Sequence, residues 1–368
     1  MGSKVKTFSI GFREKKYDEL DYARIVAKHF STDHHEYVVK PDAIELLPKL
    51  IWHYNEPFAD SSAIPTYCVA KETCQEVTVA LTGDGGDENF AGYPRYKAVR
   101  LAEYYDKLPE CFRKNVIGNV AKLIPYSTEQ KTFVRRLRRF VESMNRPAER
   151  RYARWMCMFD NSRKNELYTP FFKEVVKEID SFDHMLNYFK AGLMNQTPAG
   201  EEGTCRDFLD STLFVDIMTY LPGDLLVKMD IATMANSLEA RSPFLDHKFM
   251  EFAASIPSGF KLRGSNSKYI LKKAFSDVLP REILRRGKMG FGVPIGSWFR
   301  NELREYICEI LLSEESIRRG YFRKDYLRLI LDEHCNSRYD HSYRLWTLLN
   351  LELWHRMFID RIPDGNSK

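Results

Sequence analysis

The chain has 368 residues, 44% of them hydrophobic and 29% charged, and a net charge of +5. That length exceeds a single small core and predicts two domains, or one domain with a large helical extension. No apolar run approaches the roughly 18 residues of a membrane-spanning helix, so a helical membrane protein is excluded. The seven cysteines (Cys68, Cys74, Cys111, Cys157, Cys205, Cys308, Cys335) are odd in number, widely spaced and without a CxxC pair. They argue against a disulfide framework or a zinc site and for a cytoplasmic setting.

Met1-Gly2-Ser3 has no apolar h-region behind it and reads as a leader appended ahead of Lys4, so the chain is expected to begin within a longer protein. Val5 to Phe12, β-branched and aromatic, predicts a strand. Leu20, Ala23, Val26, Ala27 and Phe30 then fall at helical spacing. Glu36 to Val39 predicts a second strand, Ala43 to Tyr54 and Ile64 to Thr73 two helices, and Val77 to Leu81 a third strand. Strands alternating with helices imply a parallel sheet with ligands at the carboxyl ends of the strands. From about Glu88 the apolar spacing is helical almost throughout, broken at Pro109, Pro125, Pro147, Pro170, the Gly192 to Gly203 segment, Pro222, Pro257 and Pro280. Leu345, Trp346, Leu348, Leu349, Leu353, Trp354 and Phe358 are expected in the core.

Much of the positive charge lies between Lys131 and Arg154. Arg135, Arg136, Arg138, Arg139, Arg150, Arg151 and Arg154 are read there as a solvated face lying over Phe133, Leu137 and Phe140, in preference to a nucleic-acid surface. His34, His35 and Glu36 resemble a metal cluster, but neighbours on a strand point to opposite faces and do not readily share one ion. No GxSxG elbow is present.

The most specific segment is Ala80 to Tyr93, ALTGDGGDENFAGY. Glycines at a strand end let the backbone approach an anion, and a carboxylate there can hold Mg²⁺ against phosphate oxygens. Thr82, Gly83, Asp84, Gly85, Gly86, Asp87 and Glu88 are the first candidates, against the plainer reading of a strand-to-helix turn. Asp60 to Thr66 (DSSAIPT) opens a helix with hydroxyl residues, taken as N-caps. Leu221 to His247 carries Asp224, Lys228, Asp230, Glu239, Arg241 and Asp246, a charge density that needs pairing or a ligand if buried. In RRGKMGFGVPI, Lys288 sits in a glycine-rich loop and reads as a phosphate-facing lysine.

In this order, TFSIGF, DSSAIPTY, LTGDGGDE, DLLVK, SLEARSPFLD, KMGFGVPI and LWTLLNLELW resemble the synthetase domain of the glutamine-hydrolysing asparagine synthetase family. The resemblance runs nearly end to end. It implies an α/β fold with a Rossmann-like parallel sheet of the adenine nucleotide α-hydrolase type and a large helical C-terminal half. The parts are expected at residues 1–125 (nucleotide-binding) and 126–368 (mainly helical). The reaction implied is adenylation of an aspartate side-chain carboxylate by ATP with Mg²⁺, followed by attack of ammonia. The resemblance places Ile10 at the adenine, and Thr82 and Gly83, with Gly85 and Gly86 beside them, at the nucleotide. It places Asp84 beside the acyl-adenylate, Asp87 on Mg²⁺ and Lys288 at the phosphates, and it leaves Glu239 and Arg241 as a buried ion pair.

Two elements of the family pattern do not appear among these residues: an N-terminal nucleophilic cysteine, and an SGGxDS loop before the first strand. The chain alone is therefore expected not to hydrolyse glutamine, to bind Mg-ATP poorly and to make no detectable amide, and Val5 to Phe12 is expected to lack one neighbouring strand. Ammonia would come from a glutaminase domain not seen here. Asn89 stands where the family carries an apolar residue. An acceptor other than aspartate, such as a sugar acid, and a non-catalytic scaffold are the competing readings; a homodimer is compatible with the sequence, and nucleic acid is not an expected partner.

Overall fold

The computed structural model describes residues 4–109, 113, 133–194, 207–290 and 292–360. Expectations for Cys111, Cys205, Pro125, Phe291, the side chains of Phe133 and Arg135, and much of the Gly192 to Gly203 segment lie outside the described residues. The architecture is mixed α/β with small sheets and a predominance of helix.

Strand β1 (Lys6–Phe12) runs parallel to β2 (Asp33–Val39), with Ile10 opposite Tyr37. Between them α1 (Leu20–Phe30) turns Leu20 and Ala27 inward and ends where Ser31 takes a left-handed conformation. A 3₁₀ turn (Pro41–Leu46) leads into α2 (Leu47–Tyr54), and α3 (Ala63–Thr73) follows. Strand β3 (Val79–Leu81) is shorter than its sequence suggests. It pairs in parallel with β4 (Glu239–Arg241), which arrives from the helical half of the chain. The described strands thus form separate two-stranded sheets, and no described strand pairs with the second edge of β1.

The largest buried cluster joins Phe12, Leu47, Ile64 and Tyr67 to Trp298, Phe299, Leu345, Trp346 and Leu349. Those late residues come from the helix Ser342–Phe358, the short helix Ile295–Trp298 and Phe299 just after it, so Trp346 of LWTLLNLELW is core and Trp354 packs half-buried against it. No described helix is long and apolar enough to cross a membrane.

Candidate functional site

Strand β3 delivers its loop on a backbone hydrogen bond from the Thr82 N–H to the Arg241 carbonyl (2.8 Å), which continues the β3–β4 ladder. Gly85 has φ +83°, and a Cβ there would lie 2.4 Å from Leu245 Cδ2. Only glycine meets both conditions without strain. The chain then enters the single turn α4 (Gly86–Asn89), which carries Asp87 and Glu88.

Asp87 is 9% exposed and holds two ammonium groups: Lys268 Nζ at 2.9 Å from Oδ1 and Lys288 Nζ at 2.9 Å from Oδ2. Burial pushes its carboxyl up, but the two lysines outweigh burial and hold it below the usual carboxylate range. Gly92 makes the approach possible, since a Cβ there would lie 1.9 Å from Asp87 Oδ1 and 2.4 Å from Lys268 Cε. Lys268 itself sits at φ +54°, an uncommon conformation for a residue with a side chain, and donates its N–H to the Phe90 carbonyl (3.1 Å).

Around this pair the site is lined by tyrosines. The Tyr93 hydroxyl donates to Glu88 Oε1 (2.5 Å), and Lys288 Nζ lies 5.8 Å from the Tyr93 ring centre. Burial raises the Glu88 carboxyl, against the Tyr93 hydrogen bond. Arg95, in α5 (Pro94–Asp106), stacks its guanidinium 3.9 Å from the Tyr93 ring and 4.7 Å from the Tyr220 ring. Beyond Tyr220 lies a second polar cluster. Lys228 Nζ contacts Asp60 Oδ2 and Ser62 Oγ at 2.9 Å each, and Asp224, in a π-helical turn (Leu221–Leu225), lies beside Asp60. Burial and the Asp60 charge push the Asp224 carboxyl up to about 7, while Lys228 and Ser62 overcome burial and lower that of Asp60.

Thr82, Gly83, Asp84, Gly85, Gly86, Asp87 and Lys288 are brought together, and Thr82 Oγ1 donates to Asp84 Oδ2 (2.8 Å). Ile10 stays on β1 in the other sheet, packed on the main core. Asn89 donates to the Phe244 carbonyl (2.9 Å), a local packing role. Sequence reasoning did not single out Lys268, Tyr93 or Arg95. Lys268 is one of three lysines within SNSKYILKKA, and nothing in its spacing marks it.

Three expectations are corrected. Glu239 and Arg241 do pair (2.7 Å), but their side chains are 54% and 64% exposed, because residues two apart on a strand share a face and this face is open. Ser62 does not cap α3; its hydroxyl donates to Asp60 Oδ2 (2.7 Å) beside Lys228. The arginine-rich stretch is not uniformly solvated: Arg151 is 4% exposed on Asp106, Arg154 binds Asp160 (2.6 Å), and Arg139 donates to the Trp155 carbonyl. On β2, His34 faces Glu36 (3.3 Å) and His35 faces Asp33 (3.6 Å), one pair per face.

Magnesium bound with a polyphosphate asks a protein for one or two carboxylates, the phosphates and waters completing its shell. The buried, ionised Asp87 fits that demand. Among the described residues no group of three His, Cys, Asp or Glu could hold an ion without phosphate help. Chemically, the arrangement can take a polyphosphate on ammonium groups and a metal on a carboxylate.

The glycine loop brings one buried carboxylate and two lysines together, and comparison with known proteins is more specific. A family model described as asparagine synthase matches residues 1–356. Asparagine synthetase (glutamine-hydrolyzing) 1 of Bacillus subtilis is 34% identical over 97% of this chain and 53% of its own length. A putative asparagine synthetase (glutamine-hydrolyzing) of Mycobacterium bovis is 33% identical over 96% of this chain and 51% of its own. A more distant relative, amidase chyE of Penicillium rubens, is 24% identical over 85% of this chain and 47% of its own length. The chain belongs to the asparagine synthase family, and it spans about half the length of the curated relatives it matches.

Proposed function

We propose that this chain is the synthetase part of an ATP-dependent amide-forming ligase, on a nucleotide α-hydrolase type of fold, that converts aspartate to asparagine. The observation that carries the reading is the buried Asp87 held between Lys268 and Lys288 at the end of a glycine loop. An aspartate β-carboxylate oxygen attacks the α-phosphorus of ATP, the bond to the β-phosphate oxygen breaks, and pyrophosphate leaves. Ammonia then attacks the acyl carbon, AMP departs with the bonding electron pair, and the nitrogen loses a proton. The first attack brings two anions together, so cations must stand where charge accumulates. Lys268 and Lys288 meet that need on the departing pyrophosphate, and Asp84 stands at the acyl group. Magnesium held on Asp87 would supply further positive charge at phosphate oxygens.

The test is to incubate the chain with Mg-ATP, L-aspartate and ¹⁵N-ammonium and to measure pyrophosphate and labelled asparagine, alone and with an SGGxDS-bearing strand fused ahead of Lys4. The chain alone is expected to give neither product, and the fusion both. In the fusion, Lys288→Met should slow pyrophosphate release by roughly 100-fold or more, the usual scale for one lost charge-stabilising donor. Unaltered release in that variant would overturn the reading. Replacing aspartate with sugar acids in the same assay decides the acceptor.

A further inference from the structure

Among the described residues, Lys268, Lys288, Lys228 and Arg95 border the two clusters, and each of the three lysines contacts a carboxylate there. Lys268 and Lys288 hold Asp87, and Lys228 holds Asp60 and Ser62. Arg95 is different. Its Nε donates to the Tyr152 hydroxyl (2.8 Å) and to Asp216 Oδ2 (3.1 Å), and its NH2 nitrogen donates to Asp216 Oδ2 (2.7 Å). Asp216 has no exposed surface and also accepts from the Tyr96 hydroxyl (2.5 Å) and the Tyr152 hydroxyl (2.6 Å). The NH1 nitrogen makes no hydrogen bond or ion pair with any described residue, and the Arg95 side chain keeps 18% of its surface exposed.

A guanidinium has five N–H donors in a rigid plane. Here one edge is fixed by Asp216 and the plane by the rings of Tyr93 and Tyr220, which leaves a pre-oriented free edge. That geometry suits a carboxylate better than a mobile lysine would. Lys288 lies 5.8 Å from the same Tyr93 ring that Arg95 contacts at 3.9 Å, so the two cations are no further apart than those distances laid end to end. That bound is of the order of the length of a short chain adenylated at one end and anionic at the other.

We propose that the free edge of Arg95 binds the unreacted carboxylate of a dicarboxylate acceptor and thereby selects dicarboxylates over monocarboxylates. This assignment rests on the ligase reading above and names the group that chooses its acceptor. Arg95 would be a specificity-determining residue, with Asp216, Tyr93 and Tyr220 as its positioning residues.

The experiment is a binding titration of the full chain with L-aspartate, succinate, propionate and D-gluconate, by calorimetry or saturation-transfer NMR. L-aspartate and succinate should bind at least roughly tenfold more tightly than the two monocarboxylates, as one charge-assisted fork implies. Arg95→Lys keeps a cation for Asp216 but loses the fork, and it should erase that preference while remaining folded by circular dichroism. Arg95→Met with Asp216→Asn removes both charges and should behave likewise. A folded Arg95→Lys chain that still prefers dicarboxylates overturns the proposal, as does equal or absent binding of all four acids by the unaltered chain. The two readings fail separately: Arg95-dependent binding without pyrophosphate release from the fused chain sinks the ligase and keeps the acceptor site, and the reverse sinks only the acceptor site.

Discussion

Three glycines near Asp87 carry different constraints, and substitution separates them. An alanine at Gly83 meets nothing within 4 Å, so Gly83→Ala should leave the urea midpoint unchanged. Gly85→Ala combines a left-handed backbone with contact on Leu245 and should cost about 2–4 kcal/mol in the same measurement. Gly92→Ala should cost about 1–3 kcal/mol and should also weaken pyrophosphate binding, because Asp87 and Lys268 must part to admit the methyl. A second residue-scale effect concerns pH. The Asp224 carboxyl titrates near 7 in the fold, above its ordinary value of about 3.9, so protonation favours the folded state. That contribution is complete below about pH 3.9 and disappears as pH rises through about 7. Asp224→Asn should therefore gain thermal stability relative to the unaltered chain between pH 5 and pH 7.5, and a constant difference in melting temperature would refute the assignment. The sequence singled out Asp87 and Lys288 because charged residues in glycine-rich loops stand apart from ordinary core, and the structure brings the two into contact. Nothing in the sequence singled out Lys268 or Arg95, because their contacts with Asp87 and Asp216 are made far away in sequence, which no local spacing encodes.

The elements divide along similar lines. Helix α1 was legible because Leu20, Ala23, Val26, Ala27 and Phe30 repeat at helical spacing, while its end at a left-handed Ser31 was not. Strand β4 was not: three residues, two of them charged and exposed, carry neither alternation nor apolar content, and only the parallel partner β3 makes them a strand. Helix entry can be tested at Asp160, whose carboxylate accepts from the Arg163 N–H (3.1 Å) at the start of the helix Asn161–Leu167 and also binds Arg154 (2.6 Å). Asp160→Ala removes a cap and leaves Arg154 without its carboxylate, so chemical denaturation should show a loss of about 1–3 kcal/mol. A loss near zero would mean that Arg154 finds another partner.

At the scale of the molecule, the buried cluster shared by Phe12, Ile64, Trp298 and Trp346 ties the first strand to the last described helix. Leu349→Ala, at a position with no exposed surface, should cost about 2–5 kcal/mol in a single cooperative transition. If that transition splits into two, the halves fold independently. A fragment ending at residue 125 would lack most of this cluster and is expected to remain unfolded by circular dichroism. The sequence resemblance pointed to a nucleotide site completed by a helical half. The interleaving of that half with the first strands was invisible, because each apolar residue reports only that it is buried and not against what.

The pairing of Asp87 with two lysines alters how an anion would arrive. A cluster of free lysines attracts phosphate by shedding dissolved counterions, and its affinity falls steeply with added salt. Here the counterion is built in. On the ligase reading, an incoming pyrophosphate would exchange places with a tethered carboxylate that salt cannot dilute, and that carboxylate would be released at the moment a divalent ion accompanying the phosphates needs a ligand. Anion and metal would then be captured as one event, with affinity that tracks their joint concentration more than the ionic strength of the medium.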